Sequence, residues 1–326
     1  MSIIDVNCHP EQFVEYVMKK FQWSLKRNYL CLGININDPT YRNILDQKWK
    51  KKALIIINPA AFHHEAEKNY NQVEELLEAN GFDVKSKFIT KQKGDAFKRI
   101  QNMPRDEFIT YYQVICCGGD GLVHEVINGF YMREDHHYLN LRLGSLVGGE
   151  ASSMAINQSV EWKLSDKANL FNTLWGMTRG RFKPINICRY STDGNQPLIY
   201  GFNNFEMGFL ADVVSHRQKT QSTYKAAMNS MKSKAQTQEV QLIVSEHNKE
   251  LPSLEFPVPD QDQWKHYKGQ MSMVGFTSFP FLRTDFEISN RVHLGEHTGD
   301  MLMVIDQNNV IFFCKIKNRM AKNTQS

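Results

Sequence analysis

The sequence has no long hydrophobic run, although 41% of its 326 residues are hydrophobic. Its longest apolar stretches, such as residues 53–57 and 310–314, fall far short of the roughly 20 residues that a membrane-spanning helix needs. We also find no apolar core of a secretory signal peptide near the N-terminus. The sequence therefore predicts a protein without membrane spans, and its length allows two modest domains.

An excess of either charge is also missing. Lys and Arg number 39 against 35 Asp and Glu, so the net charge is only +4. This mild basicity predicts no nucleic-acid partner. The basic clusters at residues 19–27, 48–52 and 315–322 are expected to be solvated faces, with peripheral contact to anionic lipid as the alternative.

Cysteine is scarce, and its spacing is not that of a metal site. The six cysteines include the adjacent pair Cys116 and Cys117 in a strand that we expect to be buried. We expect free thiols, no metal site and an intracellular, reducing compartment, with the mitochondrion and a membrane surface left open as locations. Neither His63 nor His64 is expected to bind a metal, because adjacent loop histidines usually point apart.

Glycine is concentrated at one strand-to-helix corner within residues 116–130. An apolar strand ends there at Cys117, and apolar residues recur at helical spacing from Leu122 onward. We expect the glycines to let the backbone turn with unusual torsions and to bring its amides close to phosphate, with Asp120 at the mouth of the turn. A glycine-rich turn alone is weak evidence, because many such loops use glycine only to turn. The three glycines are Gly118, Gly119 and Gly121.

The complete segment 116–130 is more specific evidence for a function than its glycines alone. Residues 118–129 closely resemble the Gly-Gly-Asp-Gly-x-x-x-Glu-Val-x-Asn-Gly signature of the diacylglycerol kinase, ceramide kinase and sphingosine kinase superfamily. The resemblance implies transfer of the ATP γ-phosphoryl to a lipid hydroxyl, with Asp120 as the base or the organiser of magnesium. The nucleotide-binding residues that it implies are Asn58, Thr90, Gly118, Gly119, Gly121, Glu125 and Glu150.

The order of predicted elements agrees with that family. Strands are predicted at 53–58, 83–90, 113–117 and 141–147, alternating with helices marked by residues 70–77, 94–101, 122–132 and 166–179, which indicates a mostly parallel sheet. Short strand-like runs dominate afterwards, at 185–190, 198–205, 240–244 and 271–277. We expect an amphipathic extension at 1–50, a Rossmann-like nucleotide-binding-type domain at 51–180, an antiparallel β-sandwich lipid-binding-type domain at 181–308, and a closing strand with a basic tail at 309–326.

Two phosphate loops depart from the family pattern. Asn58 and Pro59 are retained after the first strand, but the glycines that should follow are replaced by residues 60–65, Ala-Ala-Phe-His-His-Glu. Any position there that needs a positive φ is expected to be strained. In the loop after the fourth strand, Glu150 stands where the family has a hydroxyl, so a carboxylate would face phosphate unless it binds magnesium.

The lipid segment also departs from the pattern. Residues 208–214 resemble the Gly-Phe-x-x-Asp-Val-Asp segment of sphingosine kinases, with Asp212 retained and Val214 in place of the second acid. A cationic sphingoid base would lose its counter-charge, so a neutral lipid is expected in the interdomain cleft. The nucleotide-supporting pattern downstream is reduced to Gln-Lys-Thr-Gln at 218–221. The lipid-binding residues implied are Phe205, Phe209, Leu210, Asp212, Val213 and Val214.

Two hypotheses follow. In the first, the chain is a pseudokinase without cofactor, retained as a structural or lipid-binding subunit whose protein partners contact residues 1–50 and the C-terminal tail. In the second, it is an active Mg-ATP-dependent lipid kinase acting on a diacylglycerol-like or ceramide-like hydroxyl. An NAD-kinase-like protein would share the Gly-Gly-Asp-Gly loop, but residues 208–213 favour the lipid branch. The three departures from the nucleotide-binding pattern favour the first hypothesis.

Overall fold

The computed structural model describes residues 51–305 with internal gaps. The gaps are 62–63, 147–151, 162–169, 179–181, 191–198, 209–210, 214, 217–224, 226–228, 230–237, 246–263, 284–285, 291, 293 and 295–299. The predicted N-terminal extension at 1–50 and the predicted closing strand and tail at 309–326 lie outside the described residues. No helix within the described part has both the length and the apolarity to cross a membrane.

A four-stranded parallel sheet organises the N-terminal part of the chain, as predicted. Its order is β2-β1-β3-β4, and every neighbouring pair is parallel. β1 is buried from Ala53 onward, with alternate residues packed into the two hydrophobic clusters on opposite faces of the sheet. The strands are β1 (Lys51–Ile57), β2 (Phe82–Ile89), β3 (Gln113–Cys117) and β4 (Leu143–Leu146).

Helices cover both faces of this sheet. α1 and α6 contribute to the cluster that holds Ala53, Ile55 and Ile57, while α2, α3 and α4 contribute to the one that holds Leu54 and Ile56. Each face therefore has its own core, which explains why β1 is continuously apolar. The helices are α1 (Ala66–Ala79), α2 (Asp95–Gln101), α3 (Arg105–Phe108), α4 (Asp120–Tyr131), α5 (Ser153–Glu161) and α6 (Leu170–Thr178), with a 3-10 turn at His136–Tyr138.

Two glycines have clear structural reasons. α1 ends at Ala79, and Gly81 follows with φ 84°, a left-handed conformation that glycine adopts without strain. Gly129 lies where α4 crosses α2, and a Cβ there would approach the Phe97 carbonyl oxygen to 2.5 Å. The glycine of the Asn-Gly pair in the signature therefore permits close helix packing.

Antiparallel strands occupy the rest of the described chain. The predicted strand at 198–205 is two strands, β6 and β7, which the pair Phe202–Asn203 separates and which join different sheets. β9 is twice the predicted length because its first half pairs with β8 and its second half lies between β7 and β12. The strands are β5 (Cys188–Tyr190), β6 (Ile199–Gly201), β7 (Asn204–Gly208), β8 (Gln238–Ser245), β9 (Trp264–Thr277), β10 (Phe281–Arg283), β11 (Phe286–Glu287) and β12 (Asp300–Ile305).

The described residues fall into two compact units. The first lies within residues 51–203 and 278–298, and it includes the parallel sheet, its helices and the small β5–β6 and β10–β11 sheets. The second lies within 204–277 and 299–305 and contains the antiparallel sheet of β7, β8, β9 and β12. The sequence-based boundary between residues 180 and 181 stays a prediction.

Candidate functional site

The carboxyl ends of β1 and β3 form the topological switch point of the parallel sheet. These neighbouring strands lead into α1 and α4, which contribute to the clusters on opposite faces. Open α/β sheets bind ligands in the crevice that such diverging connections leave. The backbone N–H of Asn58, just after β1, donates to the Cys117 carbonyl oxygen at the end of β3 over 3.0 Å. The first two motifs singled out in the sequence therefore meet here.

The β3–α4 corner contains the three predicted glycines, but unusual torsions are not the reason for them. Positive φ among the described glycines occurs at Gly81, Gly94 and Gly208, and Gly119 is extended with φ −80° and ψ −177°. That part of the prediction was wrong. Gly118 allows close packing instead, because a Cβ there would lie 2.7 Å from Cδ2 and 3.1 Å from Cβ of Leu122.

Asp120 is the first residue of α4, and its carboxylate caps a different helix. Its Oδ2 accepts hydrogen bonds from the backbone N–H of Ser153 at 2.9 Å and from the Ser153 hydroxyl at 2.7 Å. Its Oδ1 accepts from the Met154 N–H at 3.2 Å. Burial raises the pKa of the Asp120 carboxyl, and the bonds from Ser153 and Met154 oppose that rise. The carboxylate therefore occupies the N-terminal end of α5.

Asn203 completes this network. Its Nδ2 donates to the Ser153 hydroxyl at 2.6 Å and reaches Asp120 Oδ2 at 3.5 Å, while its Oδ1 is buried without a donor among the described residues. Its backbone carbonyl accepts from the N–H of Ser278 at 2.9 Å. Sequence reasoning missed both Ser153 and Asn203. Serines at 152 and 153 just before the apolar residues 154–156 were a helix-start signal for α5, whereas nothing in the sequence pointed to Asn203.

The loop after β1 is built around Asn58. Its side-chain Oδ1 accepts from the Ala60 N–H at 3.1 Å, and its carbonyl oxygen accepts from the Ala61 N–H at 3.0 Å. His64 has φ 70°, the positive φ that was expected to strain a loop without glycine. Residues 62 and 63, between Ala61 and His64, are not described by the structure.

Two carboxylates lie at the start of α1. Glu65 is the N-cap residue without a side-chain bond to the helix, and Glu67 is in the first turn. The Glu65 carboxylate lies 3.1 Å from Nζ of Lys68, and both side chains are largely exposed. Acidic side chains favour a helix N-terminus electrostatically, but they also repel an anion from it.

The loop after β2 is tied to α4 by Glu125. Its Oε1 accepts from the N–H of Gly94 at 2.9 Å, and Gly94 begins α2 with φ 88°. Thr90 is buried, and its hydroxyl donates to the carbonyl of Ile57 at 3.3 Å. The Asp95 carboxylate accepts from two backbone N–H groups, and the bond from Lys91 is the main reason that its pKa is lowered. Glu125 therefore orients the loop after β2, and the Thr90 hydroxyl has a hydrogen-bond acceptor within the protein.

Asn128, also part of the signature, joins α4 to β6. Its Oδ1 accepts from the N–H of Tyr200 at 2.9 Å, and its Nδ2 donates to the Tyr200 carbonyl at 2.8 Å. The same Nδ2 donates to the carbonyl of His124 at 2.8 Å. The ring of Tyr200 stacks on Tyr131 with centroids 4.5 Å apart. This signature residue therefore has a packing function.

The structure describes three of the six predicted lipid residues, and the lipid site stays a prediction. Phe205 is more than a third exposed, Asp212 is half-buried and Val213 is buried, and all three belong to the second unit. The Asp212 carbonyl lies 2.9 Å from Nδ1 of His216. The other predicted residues, Phe209, Leu210 and Val214, lie outside the described residues, as does Glu150 of the nucleotide set.

The described thiols are poor nucleophiles and metal ligands. Cys116, Cys117 and Cys188 are free, and burial raises the pKa of Cys116 to about 12 and that of Cys117 well above its usual value. In the described part of the chain no three side chains of Cys, His, Asp or Glu are grouped as a metal site requires.

Comparison with known proteins connects this site to kinases. A family model described as the diacylglycerol kinase catalytic domain matches residues 52–190. Sphingoid long chain base kinase 5 of Saccharomyces cerevisiae is 30% identical over 128 residues, which are 37% of this chain and 18% of that protein. Sphingosine kinase B of Dictyostelium discoideum is 26% identical over 174 residues, 52% of this chain and 21% of that protein.

The fold agrees with a solved structure over a greater length. The crystal structure of a diacylglycerol kinase from Bacillus anthracis has a TM-score of 0.57 at 19% identity, with 85% of this chain and 81% of that chain covered. Human mitochondrial acylglycerol kinase is 24% identical over 164 residues, 50% of this chain and 37% of that protein. The matched region thus spans between about a fifth and two fifths of the curated relatives.

Proposed function

This chain belongs to the diacylglycerol kinase and sphingosine kinase superfamily, and from that premise we propose that it is a pseudokinase. In this proposal the parallel sheet and its loops are retained as a scaffold, and the chain serves as a structural or lipid-binding subunit of a larger assembly. The fold agrees with that of a lipid kinase, so it is the phosphate loops that distinguish a pseudokinase from an active enzyme.

One observation carries the proposal. The carboxylate of Asp120 occupies the N-terminal end of α5, where it accepts from the N–H groups of Ser153 and Met154. A helix N-terminus next to a switch point is the position at which α/β proteins bind phosphate. Here the protein's own anion holds that position. Its Oδ2 accepts two short hydrogen bonds from Ser153, so the carboxylate is engaged in holding the start of α5 rather than free to turn toward a substrate hydroxyl.

The start of α1 supports the same conclusion. A phosphate charge about 4 Å from the Glu65 or Glu67 carboxylate would be repelled by about 1 kcal/mol in water and by about 4 kcal/mol at an effective dielectric of 20. The strained His64 stands where a glycine would bring bare backbone to the ligand. The described residues therefore fit Mg-ATP poorly.

The remaining parts of the proposal come from the sequence. A neutral lipid is proposed in the cleft, because Val214 replaces the acid that would meet a sphingoid amine. Protein partners are proposed at residues 1–50 and in the basic tail, and a β-sandwich is proposed for the lipid-binding-type domain. A mitochondrial location is also proposed, since one relative is named as a mitochondrial acylglycerol kinase.

Active lipid kinase is the second candidate, and a specific observation favours it. Apart from its chain neighbours and the backbone of its own helix, no described atom lies within 4 Å of the position where a Cβ of Gly121 would stand, so this position is open to a ligand. The bond between Glu125 and the Gly94 N–H also keeps the β2 loop in place beside α4. An intact β3–α4 corner is what an enzyme of this family would need.

Calorimetric titration with Mg-ATP decides between the two candidates. A pseudokinase is expected to bind Mg-ATP with a Kd weaker than about 1 mM, or about −4 kcal/mol. No labelled phosphate should reach diacylglycerol, ceramide or sphingosine. Micromolar binding together with labelled lipid would show that the chain is an active kinase and would end the proposal.

The N-terminal extension supplies the test of the assembly. Phe13, Val17 and Phe21 recur on one face of the predicted helix, and burying each side chain is worth roughly 1.5–3 kcal/mol. Replacing all three with Ser should abolish co-purification of partners and leave the melting temperature of the full-length chain unchanged. A lower melting temperature with intact association would show that the helix packs on its own domain.

A further inference from the structure

A cavity of about 490 Å³ lies beside β4, the edge strand of the parallel sheet. This volume falls within the range of about 300–1,000 Å³ that small-molecule sites occupy. We call it the edge cavity. It shares Met154 with the network around Asp120, but neither Ser153 nor Asn203 lines it. All of its lining residues belong to the first unit.

The walls of the edge cavity are mainly apolar. α4 contributes Ile127 and Phe130, the segment before β4 contributes Leu139 and Leu141, and the extended segment after α6 contributes Ile185. Each of these side chains is buried or partly buried against the cluster on that face of the sheet. Such walls suit a hydrocarbon group, because contact with it removes apolar surface from water.

Three contacts that involve aromatic rings hold the outer wall of the edge cavity in place. The guanidinium of Arg142 lies 4.8 Å from the ring centroid of Tyr112 and 5.4 Å from that of Phe182. The rings of Tyr112 and Phe182 meet edge to face with centroids 5.7 Å apart. Phe182 begins the extended segment, so these contacts fasten that segment to the sheet and keep the edge cavity formed.

Two glutamines place hydrogen-bond acceptors in the otherwise mainly apolar walls. Gln113, the first residue of β3, is 2% exposed, and its Oε1 is buried without a donor among the described residues. Gln158 lies one helical turn after Met154 on α5, and its Oε1 is likewise buried without a donor among the described residues. A buried acceptor without a donor is unfavourable, because it has given up its hydrogen bonds to water. Both glutamines line the edge cavity, so a ligand there can supply the donors.

Gly144 leaves room for the side-chain amide of Gln113. A Cβ at Gly144 would approach Nε2 of Gln113 to 2.5 Å and Sδ of Met177 to 2.2 Å. The Gln113 amide therefore packs closely against β4 at a position that only a glycine leaves open.

We propose that the edge cavity binds an uncharged amphiphile that has a single hydrocarbon chain and a hydroxyl group, with the hydroxyl donating to Gln113 or Gln158. Arg142 and Lys183 also line the cavity and could meet an anion, but an ionised carboxylate has no proton to donate and would leave both glutamine acceptors without a donor, which an alcohol supplies. This site is separate from the cleft site of the proposed function, because it is built from the first unit alone.

The experiment compares two probes of equal size with the full-length chain. 1-Octanol can donate a hydrogen bond, whereas heptyl methyl ether has the same number of heavy atoms and no donor. Calorimetry should give an affinity for octanol about three- to tenfold higher than for the ether. The preference should disappear in the Gln113→Leu/Gln158→Leu variant and persist in the Gln72→Leu variant, which changes an exposed glutamine of α1.

Two further measurements keep the result interpretable. The single variant Gln158→Leu changes a half-buried residue, and it should halve or abolish the preference even if Gln113→Leu fails to fold. A photoreactive octanol should label peptides that contain residues 127–143 or 182–187 rather than 204–216. Equal affinity for the two probes, binding of neither, a preference that survives in the double variant, or labelling only at 204–216 would each overturn the proposal.

Discussion

Asp120 and Ser153, 33 residues apart, are joined by two hydrogen bonds to the same carboxylate oxygen, one from the Ser153 backbone and one from its hydroxyl. The bonds connect the β3–α4 corner to the start of α5. The acid that the family signature assigns to chemistry is thus a helix cap in this chain. Its removal should therefore affect stability.

The first prediction concerns this cap. Asp120→Ala leaves the N–H groups of Ser153 and Met154 without their acceptor, so the free energy of unfolding should fall by about 1–3 kcal/mol. Ser153→Ala keeps the backbone bond and should cost less, about 1 kcal/mol. Urea denaturation measures both. Asp106→Ala, at an exposed aspartate, is the control, and an equal loss there would contradict the assignment of Asp120 as a cap.

The second prediction concerns Asn128. Asn128→Leu leaves the N–H and carbonyl of Tyr200 unpaired in a buried position, so we expect a loss of about 2–4 kcal/mol. Asn71→Leu makes the same substitution at an exposed position of α1 and should change stability by less than about 0.5 kcal/mol. If the two variants melt at the same temperature, Asn128 is not the residue that joins α4 to β6.

The third prediction concerns backbone strain at His64. Because φ is 70° there, His64→Gly should raise the free energy of unfolding by about 0.5–1 kcal/mol. Ala60→Gly, in the same loop but without a positive φ, should lower it by a similar amount through chain entropy. Chemical denaturation of the pair checks the sign. A stabilising Ala60→Gly with a destabilising His64→Gly would place the strain elsewhere in the loop.

The fourth prediction concerns pH. Burial lowers the pKa of His124 below its usual value of about 6.5, Glu125 opposes the shift and Lys93 adds to it. The folded state therefore holds His124 neutral, and this contribution to stability is present above about pH 6.5 and lost as the pH falls through the folded pKa. The stability advantage of wild type over His124→Gln should accordingly shrink between about pH 7 and about pH 5.

Urea denaturation across this pH range tests the fourth prediction. The control is His137→Gln, which removes an exposed imidazole nearby in the chain. An advantage over His124→Gln that grows on acidification would mean that the folded protein favours the charged imidazole, and the assignment of burial as the dominant cause would then be wrong.

Much of the parallel sheet was predictable from local pattern. The predicted bounds of β3 agree with the structure, and those of β1, β2 and β4 agree within two residues. Strands covered on both faces are continuously apolar, so they stand out in the sequence. α3 was missed because four residues give little periodic signal, and α5 was also missed.

The antiparallel part was less predictable. β9 is twice its predicted length, and a single predicted strand proved to be β6 and β7. Which strand pairs with which depends on residues far apart in the chain, such as Phe205 and Phe276. Local composition contains no information about such partners.

For the candidate site, the sequence by itself determined that a strand, three glycines and an acid form a corner, and that the loop after β1 lacks glycine. These are local properties, set by periodicity and by residue type. The tertiary structure alone decided that the Asp120 carboxylate accepts hydrogen bonds from Ser153 and Met154, and that Gln113 and Gln158 line one cavity with acceptors that have no donor among the described residues. A hydrogen bond needs two groups within about 3 Å, and for residues 33 or more apart in the chain only the folded packing brings them there.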